Sequence, residues 1–219
     1  MRTPSPAARE LSEERDGFKF RSGHVALDLA ATLAARHRAE PRELLAVPED
    51  LDRWLRAAAV APAVTPATPS DLRAARALRE ALYRLAVVCI AGRPFAARDR
   101  ALANAWSARA LPAAQLGPAP GRPGRATAPS TVPQALAAIA REAVELYSGA
   151  GAARIRQCGG CSILFVDASR AGRRRWCSMA ACGNKDKVAA HRRRVARGGP
   201  TPRARPSSTG KRSDRGGAR

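Results

Sequence analysis

Lysine is nearly absent from this chain: only 4 of its 39 basic residues are lysine (Lys19, Lys185, Lys187 and Lys211). Acidic residues are also scarce, 18 Asp+Glu in 219 residues, which leaves a formal net charge of +21. An arginine-over-lysine, alanine-rich composition is what a GC-rich genome produces, so where the charge lies is more informative than its total. No apolar run approaches the ~18 residues of a membrane span, which excludes a transmembrane segment. Met1 to Asp16 is polar and charged with no apolar stretch, so no secretory signal is read there and a cytoplasmic address is expected. Five cysteines in such a setting read as thiols or metal ligands rather than as a disulfide framework. No Ser-His-Asp set, phosphate loop or HExxH-type helix is present, so the sequence offers no catalytic candidates and an enzyme is not expected. Aromatic residues make up 4%, too few for a surface rich in base-stacking platforms.

Hydrophobic residues reach 45%, enough for a core, and the length suits one or two small domains. Residues 1–16 read as a disordered lead. Residues 198–219, rich in Gly, Pro, Ser and Arg, read as a disordered basic tail that cannot bury enough surface to offset ordering entropy. Between them the pattern is mainly α, with a minor β element. Val25, Leu29 and Leu33 form one apolar stripe in a predicted helix over 23–37. Pro48 opens a helix that presents Leu51, Trp54 and Leu55. Thr68-Pro69-Ser70-Asp71 combines an N-cap, a first-turn proline and a carboxylate at N3, and starts a helix that Gly92 ends. Further helices are predicted over 97–109, with Leu102 and Trp106, and over 133–148, with Leu136, Ile139, Ala143, Leu146 and Tyr147 inward. Residues 112–133 form a long loop or a poor hairpin. Together 17–150 make a helical domain without repeats.

The composition shifts after that. Residues 158–219 hold 16 Lys+Arg against 3 Asp+Glu, a net +13, and four of the five cysteines. Codon bias alone would not concentrate charge there. The cysteines follow C-x2-C-x15-C-x4-C: Cys158, Cys161, Cys177 and Cys182. Zinc takes four such ligands in a tetrahedron at ~2.3 Å. Gly159-Gly160 supply a tight turn for the first pair, and Ser178 N-caps a short turn that brings Cys182 beside Cys177. Ile163 to Val166 reads as a strand leaving the knuckle, and Trp176 as a shield over the sulfurs. One structural zinc is the favoured reading over a redox dithiol, which lacks a thioredoxin-like setting, or an iron–sulfur site. Four protein ligands leave no open position for catalysis. His191 reads as solvent-facing rather than as an alternative ligand, and Cys89 as a small core residue rather than a reactive thiol.

Asn184 is read as the N-cap of a basic helix running to about Arg197, showing Lys185, Lys187, Arg192, Arg193, Arg194 and Arg197, with Val188 and Val195 as anchors. Arg170, Arg173, Arg174 and Arg175 form a second basic cluster in the loop before Trp176. Arginine forks grip phosphates and read guanine edges, so nucleic-acid contact is favoured over a merely solvated basic face.

The run SRAGRRRWCSMAACGNK resembles the CGNR zinc finger, with Cys182-Gly183-Asn184-Lys185 in place of the signature. GHVALDLAATLAAR and ARALREALYRL resemble the ABATE domain that usually precedes that finger, and the resemblance spans about residues 18–195. It implies a bacterial stress-induced transcription regulator: a helical domain over 17–150, then a small treble-clef-like zinc finger over 151–197. Two residues depart from the family's pattern. Lys185 keeps charge but loses the bidentate fork, and Ala31 stands where an Asn usually precedes Thr32. Asp28, Thr32, Arg79 and Asn104 match positions in the family's motifs and would line a small-molecule pocket; the plainer reading, an internal Asp28–Arg79 pair with local caps, is favoured. The leading expectation is therefore a zinc-binding, DNA-binding regulator. The alternatives are an RNA-associated module and a small-molecule-binding protein whose finger holds protein partners. DNA is preferred because the finger offers only Phe165 and Trp176 for stacking.

Overall fold

A computed structural model describes residues 14–61, 64–112 and 131–196. The tail over 198–219 and nearly all of the loop over 112–133 lie outside them, as does most of the lead. Glu14 and Arg15, assigned above to that lead, instead form strand β1 and pair antiparallel with β2 (Phe18–Lys19). The signal for this hairpin was there to be read: Asp16-Gly17 takes the positive φ values, +49° and +78°, that two-residue hairpin turns need. Phe18 is buried, and Phe20 stacks on Trp54 with ring centroids 6.2 Å apart.

The first helix is short. α1 covers Val25–Ala30, and Leu33, expected on the same stripe, lies instead in β3 (Leu33–Ala34). The side chain of Thr32 explains the stop. Its hydroxyl donates back to Leu29 O at 2.7 Å, and its carbonyl accepts from Leu44 N at 2.9 Å as the chain turns into a hairpin with β4 (Arg42–Glu43). α2 (Pro48–Ala57) buries Leu51, Trp54 and Leu55 as expected. α3 (Pro69–Ala91) has the predicted reciprocal cap: Asp71 N donates to Thr68 Oγ1 at 3.1 Å, and Thr68 N donates to Asp71 Oδ2 at 2.9 Å. Gly92 ends the helix at φ +61°, a left-handed conformation that costs other residues energy. α4 (Ala97–Ser107) and α5 (Val132–Ser148) pack on each other and on α3, with Trp106 and all five predicted α5 residues buried. α1 lies centrally against α3 and α5, with Leu27 and Leu29 fully buried. Cys89 is half-buried against this core, where burial raises its thiol pKa, in keeping with an inert packing role.

The boundary after residue 150 is less clean than the sequence suggests. β5 (Ile155–Gln157), not foreseen, pairs antiparallel with β6 (Leu164–Val166). Ile155 and Leu164 are buried in the same apolar cluster as the helices. Val166 N also donates to Ser22 O at 2.7 Å, tying the hairpin to the segment before α1. Among the described residues no helix is long and apolar enough to cross a membrane.

Candidate metal centre and nucleic-acid interface

The four cysteine sulfurs at positions 158, 161, 177 and 182 lie within 4.8 Å of one another. Cys161 Sγ and Cys177 Sγ are 3.6 Å apart, and Cys177 Sγ and Cys182 Sγ are 3.8 Å apart. A tetrahedron with zinc–sulfur bonds of ~2.3 Å has edges of about 3.8 Å, so the spacing fits the ion. The acid–base chemistry points the same way. Hydrogen bonding from Cys177 lowers the Cys161 thiol to about 5, and the resulting thiolate, together with burial, pushes Cys177 and Cys182 up. Four such sulfurs shed all their protons together only around a cation. The cysteines therefore form a structural zinc site with every coordination position taken by protein. His191 is exposed and outside this set.

The knuckle around it is close-packed. Cys158 N donates to Ile163 O and Ser162 N to Cys158 O, both at 2.9 Å. Its left-handed residue is Ser162, at φ +60°; neither glycine takes a positive φ. Gly160 is needed for closeness instead: a Cβ there would sit 3.2 Å from that of Cys182. Ser178 caps the second half by accepting from Ala181 N at 3.3 Å. A π-helical turn, Met179–Gly183, carries Cys182 and runs directly into α6 (Asn184–Ala196). Asn184 has helical angles, so it continues the chain rather than breaking and recapping it, as the sequence suggested. A Cβ at Gly183 would lie 2.7 Å from Met179 Sδ and 3.2 Å from Trp176, which half-covers the knuckle.

Two basic elements flank the metal centre. The loop is braced by Asp167, fully buried, which accepts from Ser169 N and Arg174 N at 2.9 Å each. Burial alone would raise this carboxyl, but those hydrogen bonds and the Arg174 charge hold it down at about 2. Arg174 is committed internally: it donates to Cys177 O at 2.7 Å and lies over the Phe165 ring. Arg170, Arg173 and Arg175 are exposed. On α6, Lys185, Lys187, Arg192 and Arg193 are exposed, and Arg194 lies on the same helix. Val188 and Val195, expected to anchor this helix, are 49% and 53% exposed. The helix packs on the π-turn.

The four residues proposed for a pocket do not converge. Asp28 accepts from Ser22 N at 3.1 Å and faces Arg15, not Arg79. Arg79, 3% exposed, forks onto Glu43 at 2.6 and 2.8 Å, reaches Glu80 at 2.8 Å and touches Thr32 Oγ1 at 3.4 Å. Burial raises the Glu43 and Glu80 carboxyls, but the guanidinium groups of Arg79 and Arg36 outweigh it and hold both below their ordinary value. Asn104 is exposed on α4. The buried arginine thus has a carboxylate partner as expected, but it is Glu43 and not Asp28.

Residues 23–150 match the ABATE family model, described as "Putative stress-induced transcription regulator". Residues 154–195 match the model of the CGNR zinc finger. Both describe regulator or zinc-finger types rather than enzyme families. No curated protein matches the chain.

Proposed function

Because the chain belongs to the ABATE family and carries a CGNR zinc finger, we propose that it is a DNA-binding transcription regulator whose finger contacts DNA. The helical body would be its sensing half, and it would work in the cytoplasm without catalysing a reaction. The observation that carries this reading is the exposed arginine set on one metal-stiffened module: Arg173 and Arg175 on a loop pinned by Asp167, Arg192 and Arg193 on the helix that follows the metal-binding turn. α6 has 13 residues, about 20 Å, a length suited to a major groove. Duplex DNA is favoured over single-stranded RNA because Phe165 is buried and Trp176 is turned onto the knuckle glycines, so neither offers an open stacking face.

The test is anisotropy of labelled duplex DNA against the full chain over a salt series. Each neutralised phosphate contributes about 0.9 to the slope of log affinity against log salt, so Arg173→Ala/Arg175→Ala should flatten it by nearly two. An unchanged slope sinks the assignment of the loop.

A further inference from the structure

A cleft of about 520 Å³ opens between the helical body and the zinc knuckle, within the usual size of small-molecule sites. Its walls are Leu27, Ala30, Leu44 and Tyr83 on one side and Cys161 to Leu164 on the other. Its mouth is cationic: Lys19, His37, Arg38, Arg42 and Lys185 line it, against the single carboxylate of Glu40. Arg36, also at the wall, is already committed to Glu80 at 2.7 and 2.9 Å and lies over the Tyr83 ring, so it stiffens the site. Lys19, Arg38, Arg42 and Lys185 are exposed and, among the described residues, make no side-chain hydrogen bond or ion pair. We propose that this cleft binds a small organic anion, a carboxylate or phosphate head on an apolar body, with Arg38, Arg42 and Lys185 on the head and the Leu44–Tyr83 wall against the body.

Three features support the assignment beyond charge. An anion here would gain charge-assisted hydrogen bonds from cations that nothing else among the described residues occupies. Both walls are held before any ligand arrives: the β3–β4 hairpin by the Arg79–Glu43 fork and the Thr32–Leu44 bond, the opposite wall by the zinc. The ligand would also bridge two functional parts, since Cys161 is a metal ligand and Lys185 sits in the first turn of α6. This deepens the sensing half of the function proposed above and rests on it, while its test needs no DNA.

The probe is the dye 1-anilinonaphthalene-8-sulfonate, an anion on an aromatic body, titrated into the full zinc-loaded chain. Saturable one-to-one binding is expected. Arg38→Ala/Arg42→Ala should weaken it about tenfold, the scale of one or two lost charge-assisted hydrogen bonds. Ala34→Trp, which fills the cleft and keeps the cations, should also weaken it, with melting temperature and zinc content unchanged in the arginine variant. Octanoate or octyl phosphate should displace the dye, and which of the two wins identifies the head group. Octanol and inorganic phosphate should not. The proposal is overturned if the arginine variant binds dye normally, if octanol competes as well as octanoate, or if the arginine variant loses zinc, because the cations then serve the thiolates. Dye binding that persists in Arg173→Ala/Arg175→Ala while DNA affinity falls separates this site from the finger's.

Discussion

Asp28 carries the most perturbed carboxyl of the helical body. It is 8% exposed, and desolvation pushes it up to about 7 despite its bond from Ser22 N and the charge of Arg15. Unfolded, it would lose its proton near pH 4. Folding therefore takes up a proton between about pH 4 and 7. The stability this group contributes is complete below pH 4 and is lost as pH rises towards 7, by up to about 4 kcal/mol. Urea midpoints measured across that range should show Asp28→Asn gaining stability relative to the native chain as pH rises; a difference between the two that does not change with pH refutes the assignment. The sequence reads Asp28 as internal but pairs it with Arg79; its raised pKa depends instead on Ser22 and Arg15 being brought beside it.

What was legible at the level of elements was local. The cap of α3 is written in four consecutive residues, and the zinc ligands in two short spacings of a distinctive chemistry. The parts that were missed depend on distant partners. The β3–β4 hairpin needs Glu43 to meet Arg79, 36 residues away, and β5 is three residues whose only mark is Ile155. Val188 and Val195 have helical spacing but are about half exposed among the described residues, so periodicity named anchors that are not buried there. The Glu43–Arg79 fork, with the Arg36–Glu80 pair and Arg76 on Leu45 O, holds the β3–β4 hairpin to α3. Glu43→Gln leaves the buried Arg79, 3% exposed, with Glu80 as its one carboxylate partner, and should cost about 2 kcal/mol. Arg53→Ala, which loses surface ion pairs with Asp16 and Asp50 and a bond to Asp16 O, should cost less. Equal losses in chemical denaturation would show that the fork is not a clamp.

For the molecule as a whole, Ile155 and Leu164 decide how the two matched regions relate. Their side chains fill the helical core, so stripping zinc disturbs more than the finger. A chelated chain should keep the far-ultraviolet signal of α2 to α5 yet melt at a lower temperature, and Cys177→Ser should do the same. A helical melt indifferent to zinc would mean the hairpin stays docked without its metal. The sharing also bears on portability. A zinc finger that stands alone can be moved from one protein to another as a cassette. This one, cut at Arg154 and grafted elsewhere, would expose two apolar side chains with no socket to receive them, and the body left behind would gape where they had been. Exchange between relatives is then restricted to whole chains, or to segments swapped beyond Val166, where the loop and α6 can be replaced without unseating the core.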